Sequence, residues 1–348
     1  MPSVDHARYV GVDLAWGQRN RTGLAVLDDA GRLLESGTVR TDAEIVSFVQ
    51  RHPTETLVAG VDAPLVVPNA TGRRPCEALV GAHFGRFGAG AYPANRGNPS
   101  FVPEPRGARL AAVLGWEMDP AVLPGPGRRV CIEVYPHPAM VSLFPLDYVI
   151  PYKIKQGRDL PALKTAYQRL LDHLEATCGD VLVLAESERW MALRGAAAGA
   201  ARKSELNLIE DEIDAIFCAY IAWLWATDRE TMVVHGDFAT GYIVTPTPPP
   251  PTAVAGRPAS ARRRPVDEQR LEILDALLLA LDRREEVADM IARSEDAGTA
   301  LGHVRDMLQV SDAAAVEVLN LQWWRSTRSG RDELQARRDE LLRRPGPV

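Results

Sequence analysis

The sequence predicts an α/β protein in which a mixed five-stranded sheet is flanked by helices and followed by a small all-α C-terminal domain. Three observations support this prediction: short apolar strands early in the chain, a proline-rich segment from Pro246 to Pro265, and helical periodicity in everything that follows. Hydrophobic residues make up 46% and charged residues 25% of the 348 residues, a composition typical of globular proteins. We therefore predict a first domain over residues 1–245, a linker over 246–265 and a helical domain over 266–344.

The first elements of the chain predict the order of the sheet. Tyr9–Trp16 is apolar on both faces, as expected of a central strand in a sheet that is covered on both sides. Thr22–Leu27 and Arg32–Arg40 are joined by a turn-forming segment and predict antiparallel neighbours. Asp42–Arg51 predicts a helix that crosses over to a fourth strand, Thr56–Asp62. This β-β-β-α-β order opens a ribonuclease-H-like topology, whereas a dinucleotide-binding domain opens with β-α-β.

The rest of the first domain combines an irregular insertion with helices. Residues 63–129 are rich in Gly, Pro and Arg, so we predict a long irregular insertion there. The other predicted elements are a strand at Arg129–Tyr135, helices at Leu160–Thr177, Val183–Ala201 and Glu205–Ala226, and a short strand at Tyr242–Thr245. The helix predicted most strongly is Glu205–Ala226, because its second half is apolar all round, which is typical of a buried helix.

Charge and cysteine content restrict the class of protein. The net charge of −6 and the pI near 5.7 argue against a strongly basic nucleic-acid coat. The longest apolar run, Ala215–Trp225, is about half as long as a membrane-spanning helix needs, and the first residues do not resemble a signal peptide. The four cysteines are scattered without a C-x-x-C pair. We therefore expect a cytoplasmic protein with reduced thiols and no membrane partner.

Each of three predicted strands contains one carboxylate within or beside its apolar core. These are Asp13, Asp62 and Glu133, and none has a lysine or arginine next to it in the sequence. Asp214 lies where the polar start of the main helix meets its apolar half, and Asp211 lies one turn earlier on the same face. An isolated ionised carboxylate is costly in such surroundings, so each must be paired, protonated or bound to a cation.

A cluster of these carboxylates would suit a hard divalent cation. Mg²⁺ and Mn²⁺ prefer carboxylate oxygens, and two such ions about 4 Å apart can activate water and stabilise the leaving oxygen of a phosphodiester. We therefore predict that Asp13, Asp62, Glu133 and Asp214 are catalytic metal ligands, with Asp211 as an additional ligand. The alternative is that they are strand-end or capping carboxylates that bind backbone amides.

Four motifs resemble an uncharacterised bacterial and archaeal family described as predicted RNase H-like nucleases: GVDLAWG, GVDAPL, EVYPHPA and KSELNLIEDEIDAIFCAYIAWLW. The resemblance covers roughly residues 8–246. It implies that Asp13 is the first-strand aspartate shared by ribonucleases H, Holliday-junction resolvases and related transposases. It also implies that Asp62 or Glu133 is the interior-strand acid and that Asp214 is the late helical acid. The long insertion and the two interior-strand acids depart from ribonuclease H itself.

Several basic residues are candidates for contacts with a nucleic-acid substrate, either DNA or RNA. Arg74, Arg86 and Arg96 lie in the insertion among aromatic residues, a mixture that can hold phosphates and stack bases. Lys203 precedes the acidic part of the main helix, and His137 follows the Glu133 strand, where it could help to activate water. The alternative is an ordered surface loop with solvated arginines and a structural histidine.

The C-terminal segment, roughly residues 266–340, resembles a helical region of the DNA gyrase A subunit. In type IIA topoisomerases that region forms the exit-gate dimer contact, so the resemblance implies a homodimer through the helix around Ala313–Trp324. The strand-cleaving tyrosine domain is absent from the sequence, and no topoisomerase activity is implied. Trp323 and Trp324 are adjacent and cannot both face one narrow core, which favours an interface. A small bundle packed on the first domain is the alternative.

Together these features predict a metal-dependent phosphodiester hydrolase, a nuclease, that uses Mg²⁺ or Mn²⁺. One alternative is a non-catalytic scaffold that binds nucleic acid or protein. A second is a relative of the actin-like ATPases and sugar kinases, which also begin with a G-x-D strand. That class requires a second β-β-β-α-β half, and no such half follows Glu133 in the sequence.

Overall fold

The computed structural model describes residues 6–249 and 260–343, except for 18, 145, 179–181, 296, 320 and 322–326. The chain divides into two compact units, residues 1–250 and 251–348. The first unit contains a mixed sheet with helices, and the second is helical, which confirms the predicted α/β class. No helix in the described part of the chain is long and apolar enough to cross a membrane.

The first unit is built on a five-stranded mixed sheet. Its strands are β1 (Arg8–Asp13), β2 (Thr22–Leu27), β3 (Leu33–Val39), β4 (Leu57–Val61) and β5 (Arg129–Glu133). The order across the sheet is β3-β2-β1-β4-β5, with β1, β2 and β3 antiparallel and β1, β4 and β5 parallel. The predicted central position of β1 is confirmed, because this strand has neighbours on both sides and its interior residues are buried.

Seven helices are described in the first unit. They are α1 (Asp42–Gln50), α2 (Pro75–Phe84), α3 (Arg106–Leu114), α4 (Pro136–Leu143), α5 (Leu160–Cys178), α6 (Glu188–Gly199) and α7 (Lys203–Thr227). Helix α1 begins with a capping box between Thr41 and Glu44, which fixes its first turn. Every residue of α7 from Glu212 to Ala222 is buried, as the apolar second half of this helix predicts.

The insertion over residues 63–129 is more ordered than predicted, since it contains α2 and α3. Local signals for both helices are present in the sequence. Helix α2 has Pro75 in its first position, and the carboxylate of Glu77 accepts a hydrogen bond from the backbone N–H of Arg74 at 3.0 Å. Helix α3 ends at Gly115, whose φ of 67° suits a left-handed cap. The helices are short, and the surrounding glycines and prolines concealed their periodicity.

The last strands of the first unit form a separate hairpin. Strand β6 (Met232–Asp237) was not predicted, and it pairs antiparallel with β7 (Gly241–Pro246), which was. Helix α2 packs against this hairpin. Within the described residues, the five-stranded sheet and this hairpin are the only sheets, so the second half expected of an actin-like ATPase is not found there.

Three glycines allow the backbone of α7 to lie directly on the sheet. A Cβ atom on Gly11 would lie 1.8 Å from the carbonyl oxygen of Ala215, and one on Gly23 would lie 1.7 Å from that of Asp211. A Cβ atom on Gly60 would lie 2.5 Å from the carbonyl oxygen of Cys218. Contacts this short leave no room for any side chain, so the faces of β1, β2 and β4 that carry these glycines meet the helix backbone itself.

Five helices are described in the second unit: α8 (Ser260–Asp282), α9 (Arg284–Ala292), α10 (Ala297–Leu308), α11 (Asp312–Leu319) and α12 (Arg328–Arg343). Apolar residues from all five form one core, among them Leu277, Val304 and Leu334. Helix α8 begins at Ser260, inside the segment predicted as a linker. Trp323 and Trp324 lie outside the described residues, so the dimer contact proposed for this region stays a prediction.

All four cysteines are buried and free, as predicted. Cys76, Cys131 and Cys218 are at most 1% exposed, and so is Cys178. Burial raises the pKa of the Cys76 thiol to about 12, so this group is protonated at neutral pH. The cysteines therefore serve as small apolar residues of the core.

Replacing Gly11 with alanine is expected to lower the free energy of unfolding of the first unit by about 3 kcal/mol. The new methyl group would meet the Ala215 backbone, which cannot move without displacing α7. Urea-induced unfolding followed by circular dichroism measures the loss. Gly37→Ala in β3 is the matched control, because nothing in the described part of the chain lies within 4 Å of that position. Equal stability of the two variants would contradict the close packing of α7.

Candidate active site

The register of the sheet brings Asp13 and Asp62 together. Asp13 ends β1, and Asp62 directly follows β4, whose residue Val61 pairs with Val12 in the parallel ladder. The backbone N–H of Asp62 donates to the carbonyl oxygen of Val12 at 2.8 Å, which continues the ladder by one residue. The two aspartates are therefore neighbours on adjacent strands, and their side chains leave the same face of the sheet.

Alternation along the strands decides which face this is. Gly11 and Gly60 lie two residues before Asp13 and Asp62, and both glycines face α7. Side chains two residues apart in a strand point to the same face, so both aspartates also face α7. Asp214 lies on that helix, one residue before the Ala215 carbonyl that contacts Gly11. The predicted convergence of the first-strand, interior-strand and helical aspartates is thus a consequence of this packing.

The Asp13 and Asp62 carboxylates have no partner that neutralises them. No described residue donates a hydrogen bond to either carboxylate or forms an ion pair with it. Burial, together with the charges of Asp214 and Asp62, raises the pKa of Asp13 well above its usual range. Burial also raises the pKa of Asp62, to about 7, although Lys153 opposes this shift. Holding both groups as anions at neutral pH is therefore unfavourable in the protein alone.

Asp214 is fully engaged by two neighbouring side chains. Tyr152 donates its hydroxyl to Asp214 Oδ1 at 2.7 Å, and Lys153 donates its ammonium group to Oδ2 at 2.6 Å. Lys153 Nζ also lies 3.4 Å from Glu210 Oε1, one turn earlier in α7. Burial works against the charged lysine, but the surrounding carboxylates, Asp214 first, hold the pKa of Lys153 above its usual value. The ammonium group is therefore a permanent positive charge inside the acidic cluster.

Lys153 was missed by the sequence analysis. It follows α4 in an irregular segment, where no helical or strand period assigns it to a face. One signal was available: only four of the 40 basic residues are lysines, and two of them, Lys153 and Lys155, flank a single residue. That signal marks the segment but does not connect it to Asp214, which is 61 residues away.

The expectation that Glu133 is a metal ligand stays a prediction, but the structure places this carboxylate, which also lines the cleft, in a buried ion pair. Val61 pairs with Glu133 in the β4–β5 ladder, so Glu133 is one residue out of step with Asp62 and its side chain leaves the opposite face. There both of its oxygens accept hydrogen bonds from Arg74, at 2.6 and 2.8 Å, and one also accepts the backbone N–H of Leu65 at 2.9 Å. Glu133 therefore completes an internal ion pair.

Arg74, a predicted substrate contact, also lines the cleft, but its side chain is engaged within the protein. The residue is only 1% exposed, and its Nε donates to Glu77 Oε1 at 2.8 Å while its other nitrogens bind Glu133. Glu77 in turn accepts the backbone N–H of Ala94 at 2.9 Å. This buried network joins the insertion to β5, because it links residues from α2, the following loop and the strand.

Asp211 approaches the cluster from the start of α7. It is half-buried, and burial raises the pKa of its carboxyl group, with a further contribution from Asp214. The Nε atom of Arg21 lies 3.7 Å from Asp211 Oδ2. Asp211 and Asp13 line one polar cavity, and the role of Asp211 as an additional metal ligand stays a prediction.

The remaining predicted substrate residues differ in their positions. His137 lines the cleft with Asp13, and its ring stacks on Tyr152 with a centroid distance of 5.8 Å. Burial lowers the pKa of His137 to about 4, so the imidazole is neutral at pH 7. Arg86 and Arg96 are exposed in the insertion, and Lys203 is exposed at the first residue of α7. These three do not belong to the set of residues that line the cleft.

Two cavities open on the two sides of Asp13. One is a cleft of about 340 Å³ whose lining includes Asp13, Asp62, Lys153, His137, Trp16 and Tyr92. The other is a cavity of about 470 Å³ lined by Asp13, Ala15, Asn20, Arg21, Arg40, Asn207 and Asp211. Across the described parts of the chain, no group of three or more His, Cys, Asp or Glu side chains is placed to hold a metal ion by itself.

A family model described as "Protein of unknown function (DUF429)" matches residues 11–238. The chain belongs to this family. The matched range begins within β1, includes all five candidate carboxylates and ends just after β6. Comparisons with curated proteins and with solved structures found no match. The DUF429 region thus contains the whole candidate site, while the helical second unit lies beyond it.

Glu133→Gln in this DUF429 protein is expected to lower the free energy of unfolding by about 3 kcal/mol, because it leaves the Arg74 guanidinium buried with an incomplete set of anions. Urea-induced unfolding at neutral pH measures the loss. Asp172→Asn, which breaks a surface pair with Arg194, is the control and should cost less than about 1 kcal/mol. Similar small losses for both variants would show that Glu133 is not a structural group.

Asp62→Asn is expected to have the opposite effect and to raise the free energy of unfolding by about 1–3 kcal/mol at pH 8 without divalent cations. The pKa of Asp62 is about 7 in the folded protein and about 4 when unfolded, so the folded state favours the proton. Wild-type stability therefore falls as pH rises between these values, whereas asparagine carries no such cost. The gain should shrink as pH is lowered from 7 towards 4.

Thermal and urea unfolding of wild type and Asp62→Asn across this pH range, in a buffer with EDTA, gives the measurement. Asp172→Asn again serves as the control, since its carboxylate is exposed. A loss of stability in Asp62→Asn at pH 8 would mean that this carboxylate makes a stabilising contact instead.

Proposed function

We propose that this DUF429 protein hydrolyses phosphodiester bonds of nucleic acid with the help of a divalent cation, Mg²⁺ or Mn²⁺, held by Asp13 and Asp62. One observation carries the proposal: two adjacent carboxylates line a cleft, and no described residue forms a hydrogen bond or an ion pair with either. The resemblance to predicted RNase H-like nucleases supports it, because that resemblance implies an acid at the end of the first strand and another on an interior strand.

The chemistry of Asp13 and Asp62 fits a cation of this type. Carboxylate oxygens are hard ligands, and no described residue occupies their lone pairs by hydrogen bonding. Mg²⁺ is usually bound by one or two carboxylates together with water and substrate phosphates, so a cluster of three protein ligands is not required. The raised pKa values of both groups indicate that two neighbouring negative charges are unfavourable here. A bound cation would stabilise the ionised forms of both carboxylates.

The residues around Asp13 and Asp62 have separate proposed roles. When bound, a divalent cation would polarise a phosphoryl oxygen and lower the pKa of an attached water. Lys153 holds a fixed positive charge beside Asp214, a residue that the sequence analysis predicted to be a metal ligand. We therefore favour one ion together with this ammonium group. Tyr152 keeps Asp214 oriented, and the neutral His137 can exchange hydrogen bonds with a substrate oxygen without adding charge.

A second candidate function is a non-catalytic module that binds nucleic acid or protein. Two observations favour it. Lys153 already neutralises Asp214, and the described residues contain no cluster of three metal-ligating side chains. In this case the acidic cluster would be an internally balanced polar network, and Asp13 and Asp62 would share a proton.

Asp13→Asn is expected to abolish the proposed activity, because it removes one of the two carboxylates while keeping the shape of the side chain. Mn²⁺ binding, measured by the loss of the free-ion electron paramagnetic resonance signal, should weaken by about tenfold or more. Cleavage of labelled single-stranded and double-stranded DNA and RNA in Mn²⁺ should fall by about a hundredfold or more.

Asp172→Asn, which removes a remote surface carboxylate, should change neither the binding of Mn²⁺ nor the rate of cleavage. Cleavage that persists in Asp13→Asn at the wild-type rate would refute the proposed chemistry. Retained binding of nucleic acid with no bound Mn²⁺ would favour the non-catalytic module.

A further inference from the structure

The two cavities beside Asp13 differ in chemistry and share two of their lining residues. Both are lined by Asp13 and Ala15. The cleft side presents aromatic rings, Trp16 and Tyr92, and the other side presents guanidinium and amide groups. We call the two cavities together the Asp13 groove. Its two sides match the two parts of a nucleotide, which has a planar apolar base and an anionic phosphate.

The aromatic side of the groove offers ring surface to solvent. Trp16 is 41% exposed and Tyr92 is 71% exposed, although both lie at the edge of a cleft. The Trp16 ring packs at a centroid distance of 4.9 Å on Phe101, which is itself buried, so its position is supported from behind. Exposed aromatic rings beside a cationic surface are typical of sites where unpaired bases stack.

The other side of the groove offers fixed guanidinium groups. Arg21 donates from Nη2 to the backbone carbonyl of Asn207 at 2.7 Å, and its Nε faces Asp211. Arg40 is exposed and donates from Nη1 to the backbone carbonyl of Arg19 at 2.5 Å. These contacts fix each side chain and leave other guanidinium N–H groups for an anion. Arginine is well suited to phosphate because its planar fork can bind two oxygens at once.

A single buried side chain holds the two sides in a fixed relation. The guanidinium of Arg106 donates to the backbone carbonyl of Ala15 at 2.7 Å and to that of Arg40 at 2.8 Å. It also donates to Asp42 Oδ1 at 2.7 Å, which balances its charge. The segment that contains Trp16 is therefore joined to the backbone of Arg40, the candidate phosphate-binding residue, through one rigid group.

We propose that the Asp13 groove binds single-stranded nucleic acid, with an unpaired base against Trp16 and Tyr92 and a neighbouring phosphate against Arg21 and Arg40. This places the backbone of the strand over Asp13, and that part of the inference rests on the proposed function. In a duplex both faces of each base are covered by the adjacent bases, so the rings of the groove could not stack on them. The groove thus selects unpaired strands over duplexes.

Binding without cleavage tests the groove separately from the metal chemistry. The full-length protein is titrated in EDTA, at about 0.05 M salt, against labelled DNA and RNA single strands of about 12 nucleotides and against their duplexes. Single strands are expected to bind about tenfold more tightly than duplexes. Trp16→Ala and Tyr92→Ala should each weaken single-strand binding about tenfold, and Arg40→Gln should reduce the salt dependence by about one phosphate contact.

Two surface variants that line neither cavity are the controls. Tyr148→Ala removes a tyrosine that is also exposed, and Arg293→Gln removes an exposed arginine that caps the C-terminus of α9. Both should bind single strands as the wild type does. Thermal unfolding confirms that each variant is folded. A preference between the DNA and RNA strands would identify the sugar that the groove accepts.

Duplex binding equal to single-strand binding, or equal losses in Trp16→Ala and Tyr148→Ala, would overturn this inference. Failure of the proposed function gives a different result. Single strands would then bind in EDTA as expected, but no cleavage would appear in Mn²⁺. Conversely, Mn²⁺-dependent cleavage of duplexes that is unaffected in Trp16→Ala would support the proposed function and exclude the groove.

Discussion

Direct contact between the α7 backbone and the glycine-bearing face of the sheet is the constraint on which the site depends. A methyl group could not be added at Gly11, Gly23 or Gly60 without clashing with the α7 backbone. The helix therefore lies closer to β1, β2 and β4 than side-chain packing would permit, and Asp214 reaches the ends of the strands that carry Asp13 and Asp62. A glycine in a strand usually weakens it, because it has no side chain to pack. In this protein the three glycines instead allow α7 to approach the sheet, and this approach positions the acidic groups.

The acidic residues of the first unit differ in how their charge is balanced. Glu133 forms an ion pair with the buried Arg74, and Asp214 forms one with Lys153. Asp13 and Asp62 have no such partner among the described residues, and burial makes their ionised forms costly. Strongly perturbed pKa values of this kind are typical of functional sites, where a bound ligand can balance the charge. This difference distinguishes the carboxylates that have an ion-pair partner from those that have none among the described residues.

The sequence allowed much of this arrangement to be predicted, and the limits have physical causes. Apolar periodicity located the five strands and α7, and the interruption of apolar runs located Asp13 and Asp214. These patterns could not show that Asp62 and Glu133 point to opposite faces of the sheet. The face of each depends on strand register, which is a tertiary property. The pairing of Glu133 with Arg74 spans 59 positions, and local sequence does not encode such contacts. Lys153 was missed for the same reason.

The hydrogen bonds of Arg106 have a consequence for how the groove can change over time. Three of its bonds end on main-chain oxygens, those of Ala15, Gly17 and Arg40, and any amino acid at those positions would offer the same acceptors. The shape of the groove is therefore largely uncoupled from the identity of the side chains that line it. Substitutions of side chains along the rim would therefore leave the backbone acceptors of Arg106, and with them this part of the scaffold, unchanged.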